Sequence, residues 1–175
     1  MYNDVMKYNP MIFSENLLKG RVAETIFEQM FRNAGCFTIL SFGYEKILPE
    51  LASRKNDVKA EETMEIIRRA PDFAVINNDS HDVFLIEVKY LRNPNPRIIL
   101  QDATKMYSSW KPSYLFLATP NGFFFDKASD IIRNKGDMRE FVHPQIPKDV
   151  QLKYTELLNS FIPQVKVEED SNRLS

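Results

Sequence analysis

The chain of 175 residues is poor in the residues that mark several protein classes. Cys36 is its only cysteine, so no intrachain disulfide can form. Set among Phe37, Ile39 and Leu40, it reads as a small buried residue. The five glycines are scattered and make no G-x-x-x-x-G-K-[ST] loop, which disfavours an ATP-driven activity. His81 and His143 are the only histidines, and neither has a second histidine or cysteine at ligand spacing, which argues against zinc. No apolar run approaches the roughly 20 residues that span a bilayer. Met1 to Asn9 is polar and lacks the charged-then-apolar plan of a signal peptide. The expectation is a protein of the reducing cytoplasm with no membrane partner. Net charge is −1, so no large basic footprint advertises nucleic acid, although Lys55, Lys59, Arg68, Arg69, Arg92, Arg97 and Lys105 can form a local basic surface.

What is present suits one domain with a well-filled core. Hydrophobic residues make up 43%, with 13 Phe and 7 Tyr. Residues 1–165 read as that domain, and 166–175, with Glu168, Glu169 and Asp170, as a disordered acidic tail. Leu17, Leu18, Val22, Ile26, Phe27, Met30 and Phe31 predict a helix over 13–34, with Ser14 as N-cap and Gly35 ending it. Phe37 to Tyr44 predicts a strand. A short helix over Ala60 to Arg69 and a solvated connection compete for the region that follows.

Pro71–Asn77 and His81–Leu91 read as an antiparallel hairpin closed by Asn77-Asn78-Asp79-Ser80. A helix over 97–109, a strand over 113–118, a short strand at Phe123–Phe125 and a helix over 126–134 follow. A last helix, Val150–Phe161, carries Leu152, Tyr154, Leu157, Leu158 and Phe161 on its apolar side. The order predicts an α/β fold, a central mixed sheet flanked by helices on both faces, with an αβββαβ core.

The hairpin concentrates the chemistry. Its first strand opens with Pro71-Asp72, and Glu87-Val88-Lys89 closes the second, 15 residues after Asp72. Glu87 and Lys89 share a strand face with Val83 and Leu85, expected to be the packed one. Charges on such a face are costly unless paired or bound to a ligand. A divalent metal between Asp72 and Glu87 answers that cost. A salt bridge from Lys89 to Glu87 or Asp72, with no metal, answers it too.

Pro71-Asp72, Glu87-x-Lys89 and the element order resemble the PD-(D/E)XK, or restriction-endonuclease-like, nuclease superfamily over about residues 14–118. The chain is most similar in kind to small Holliday-junction-resolvase-like members. The resemblance implies a metal-dependent DNA endonuclease using Mg²⁺ or Mn²⁺. It implies Asp72 and Glu87 as ligands, with the Val88 carbonyl as a third oxygen. Lys89 would position the water and neutralise the phosphate, with proton transfer open to it if burial lowers its pKa. Glu24, in Gly20-Arg21-Val22-Ala23-Glu24, matches the helical glutamate of many members, with Glu28 on the same face as a fallback. Gln101 and Lys105 are candidates for substrate contact. Gln101 and Tyr107 stand six apart, wider than the Gln–Tyr spacing of members that carry such a pair, and a solvated helix face explains all three equally well. A catalytically silent module for nucleic-acid binding or assembly, and a nuclease subunit needing a targeting partner, are the rival readings. A homodimer is expected from the family, through Tyr2–Phe13 and the last helix.

Overall fold

The computed structural model describes residues 10–42, 66–67 and 69–162. Helix α1 (Pro10–Asn33) is followed by β1 (Phe37–Ser41), β2 (Phe73–Asn77) and β3 (Val83–Tyr90). Then come α2 (Pro96–Ser109), β4 (Tyr114–Thr119), β5 (Gly122–Lys127), α3 (Ala128–Arg133) and α4 (Lys148–Phe161). The sheet runs β1-β2-β3-β4-β5, antiparallel at every pairing except the parallel β3–β4 pair that α2 bridges. The fold is therefore α/β, an open five-stranded mixed sheet with helices on both faces. Among the described residues, no helix is long and apolar enough to cross a membrane. The 166–175 tail, Tyr2–Asn9, Gly43, Tyr44, Lys55, Lys59, Arg68 and most of the Ala60–Arg69 segment lie outside the described residues.

Each face has its own core. On one, α1 sets Ala23, Ile26, Phe27, Met30 and Phe31 against Phe73, Val75, Ile86, Val88 and Phe116. The rings interlock: Phe27 meets Phe116 at 4.9 Å between centroids and Phe73 at 5.1 Å. On the other face, Ile99, Ala103 and Met106 of α2 meet Leu115, Leu117 and Ile131.

This corrects the expected orientation of β3. Its deeply buried residues are Ile86 and Val88, and Val83, on the Glu87–Lys89 face, is exposed. The larger aromatic core lies under the other face, while the α2 side covers chiefly β4. Ser14 is not the N-cap, because α1 begins a turn earlier at Pro10. Leu17 and Leu18 are exposed rather than packed. Cys36 is only partly buried. On α4 the buried positions are Gln151, Thr155 and Leu158, whereas Leu152, Leu157 and Phe161 face outward. Gln151 is buried because its amide donates to the carbonyls of Phe141 at 3.2 Å and Ile146 at 2.9 Å, which a hydrophobe could not do.

Two polar devices fix the turns. Asn77 Oδ1 accepts from the backbone N–H of Asp79 at 2.9 Å and Ser80 at 3.1 Å, an Asx turn. The left-handed residue of that hairpin is His81, at φ 62°. Asp126, expected in a helix, lies in β5 with 2% of its surface exposed. Both its oxygens are held by Arg139, through the backbone N–H at 2.7 Å and the guanidinium. That clamp lays residues 139–141 along the outer edge of β5.

Candidate functional site

The site grows from the end of a strand. β2 pairs with β3 up to Phe73↔Ile86 and then stops, so Val88 is the first residue of β3 whose N–H needs another partner on that side. Asp72 provides it. Its Oδ2 accepts from Val88 N–H at 2.9 Å, while its own carbonyl takes the Phe42 N–H at 2.8 Å. The aspartate is thus fixed between β1 and β3 without being part of a strand. On a strand the N–H and C=O of one residue point the same way, so the Val88 carbonyl lies on the edge that Asp72 occupies.

Glu87 and Lys89 project on the α2 side, beside Leu115 and Leu117 of the neighbouring strand. They form an ion pair, Nζ to Oε1 at 2.7 Å, with side chains 39% (Lys89) and 22% (Glu87) exposed. Glu24 comes from α1. Its carboxylate takes Arg21 at 2.9 Å and its charge still reaches Asp72. Glu28 is turned to Arg32, with bonds of 2.7 and 3.0 Å, and is not among the charges acting on Asp72. Of the two glutamates, Glu24 is the one whose charge acts on Asp72.

Electrostatics single out Asp72. Burial first, then the negative charges of Glu87 and Glu24, push its carboxyl up to about 7, against the pull of the Val88 N–H and Lys89. Lys89 moves the other way from the expected drop. Burial lowers it, but Glu87, by charge and hydrogen bond, and then Asp102 and Asp72 carry it above the ordinary lysine value. The neighbouring acids thus favour the charged form of Lys89.

Beside this group opens a cleft of about 200 Å³. Glu87, Lys89, Asp102, Lys105 and Arg69 line it, with Ala70 and Met106 as its apolar wall. Of the two helix residues considered for substrate contact, Lys105 is at the cleft. Gln101 does not line it, because Ile99, Ala103 and Met106 fix the rotation of α2 and leave Gln101 exposed. Tyr107 packs against the second core, with Lys111 Nζ 4.5 Å from its ring centroid. Asp102 is the site residue that sequence reasoning missed. Its signal was available, since it stands three residues from both Ile99 and Lys105.

Asp72 and Glu87 are hard oxygen donors, and the charges of Glu87 and Glu24 crowd the Asp72 carboxyl. That suits Mg²⁺ or Mn²⁺, for which one or two carboxylates plus waters is the usual set. Among the described residues no three His, Cys, Asp or Glu side chains group closely enough to hold an ion by themselves. His81 sits in the β2–β3 turn, at the far end of those strands from Asp72, and His143 lies against the Phe37 ring. No family model, curated protein or solved structure matches the chain.

Proposed function

We propose that the protein is a metal-dependent nuclease of the PD-(D/E)XK kind that hydrolyses DNA phosphodiester bonds. The observation that carries this reading is the Asp72 carboxyl, bonded to Val88 N–H at 2.9 Å beside Glu87 and raised to about 7 by burial and neighbouring acids. An acid cluster of that kind is costly to ionise unless a cation joins it. The order α1-β1-β2-β3-α2-β4, with β3 and β4 parallel, supports the restriction-endonuclease-like assignment.

In this reading Asp72, Glu87 and the Val88 carbonyl hold Mg²⁺ or Mn²⁺. The ion, when bound, supplies an activated water and neutralises charge on the phosphate oxygens. Lys89 stays charged and holds the attacked phosphate against the site. Glu24, approaching from α1, would orient a water beside Asp72. Lys105 and Arg69, along the cleft, meet the phosphates of the flanking strand.

A second reading is favoured by the Lys89–Glu87 ion pair. Closed at 2.7 Å, it is also what a silent nuclease-fold module would keep. Purified protein incubated with Mn²⁺ and duplex, single-stranded or branched DNA separates the two. A nuclease cuts at least one substrate, and Lys89→Ala abolishes cutting while Mn²⁺ still binds. Mn²⁺ binding with no cutting of any DNA, by the protein alone, leaves the silent module or a subunit that needs a partner.

A further inference from the structure

We propose that Asp102 is a positioning residue that receives the Lys89 ammonium from Glu87 when Glu87 turns to a divalent cation. The inference rests on the metal-dependent reading above. Lys89 and Glu87 are joined at 2.7 Å, so one carboxylate is asked to serve two cations. With a cation held by Asp72 and Glu87, the ammonium would lose the Glu87 charge that pairs it here. An ammonium left among Ala70 and Met106 with no carboxylate partner would be costly, or would swing out of the cleft.

Asp102 removes that conflict. It lines the same cleft as Glu87 and Lys89, coming from α2 where they come from β3. The burial of Ile99, Ala103 and Met106 fixes the turn of α2 that presents it. No ion pair among the described residues engages its carboxylate, and its charge already acts on Lys89. The lysine thus moves between two acids that share one cleft. It remains charged and inside the site in both positions.

Mn²⁺ titration by calorimetry, on four proteins, tests this without reference to cleavage: wild type, Asp102→Asn, Lys89→Ala and the double variant. Handover makes the effects non-additive. Asp102→Asn leaves Lys89 on Glu87 and weakens Mn²⁺ binding about fivefold, whereas in the Lys89→Ala background the same change costs less than about twofold. Asp102→Glu restores wild-type affinity. Equal losses in both backgrounds mean that Asp102 acts on the ion directly, and they overturn the inference while leaving the metal reading intact. Absence of Mn²⁺ binding in wild type and Lys89→Ala alike overturns both. A thermal melt of each variant confirms that the compared proteins are folded.

Discussion

The backbone N–H of Val88 donates to Asp72 Oδ2 at 2.9 Å, so a side chain completes a ladder that the β2 backbone leaves unfinished. One hydrogen bond thereby serves two ends. It satisfies a strand that would otherwise expose a donor, and it fixes a carboxylate beside Glu87.

The pH dependence of stability follows from that carboxylate. Folded Asp72 has its pKa at about 7, against 3.8 for the ordinary aspartate. Between those values the folded chain keeps a proton that the unfolded chain has lost, so stability falls as pH rises through the window. Asn at position 72 keeps an oxygen for Val88 N–H and never ionises. Metal-free Asp72→Asn should melt near wild type at about pH 4 and increasingly above it towards about pH 8. Saturating Mn²⁺ at the upper pH should reverse the order, because only wild type binds the ion well. Parallel melting curves across the range would refute the assignment.

The Asp126–Arg139 clamp makes a prediction about the sheet edge. Asp126→Ala leaves the Arg139 N–H without its 2.7 Å acceptor and should cost about 1–3 kcal/mol in urea unfolding. A loss much smaller than this would mean that residues 139–141 hold to β5 without the carboxylate.

Phe116 occupies the middle of the aromatic core. It is fully buried and meets Phe27, Phe123 and Phe141 at 4.9, 5.3 and 5.7 Å between centroids. Phe116→Ala should cost about 3–5 kcal/mol by denaturant titration. A cost below about 1 kcal/mol would show that the neighbouring rings collapse into the space.

Gly136 is a point of close approach. Its φ is +97°, and a Cβ there would lie 2.0 Å from the Pro96 carbonyl oxygen at the start of α2. Gly136→Ala should destabilise by at least about 1–3 kcal/mol, the cost of a strained backbone before the clash is added. Amide exchange should quicken at the first turn of α2, where the displaced backbone lies. Unchanged exchange there would place the strain elsewhere.

The elements were legible because their signals are local and repeated. Ile26, Phe27, Met30 and Phe31 declare α1, and the Asn-Asn-Asp-Ser run declares the hairpin that brings Asp72 to Val88. That pairing follows from alternation and turn chemistry alone. The facing of Glu87 and Lys89 was harder to read. Both faces of β3 carry apolar residues, and which one lies under the larger core depends on where α1 and α2 dock. The rotation of α2 decided Asp102 over Gln101 for the same reason: adjacent residues on a helix differ by about 100°. Gln151 was invisible because its partners, Phe141 and Ile146, are backbone carbonyls of a loop with no periodic signal. Glu24 was favoured over Glu28 by motif; each is paired with an arginine of its own helix, and Glu24 is the one whose charge acts on Asp72.

The buried amide of Gln151 also bears on how far the chain can be trimmed. Leu158 and Ile162 share one cluster with Phe27, Phe116 and Phe141, and the glutamine ties the intervening loop to that cluster. An excised αβββαβ unit ending near Thr119 would bare a wide slab of aromatic surface to water. The terminal helix is thus an integral wall of the building, and a minimal fragment for crystallisation or directed evolution has to reach at least to Ile162.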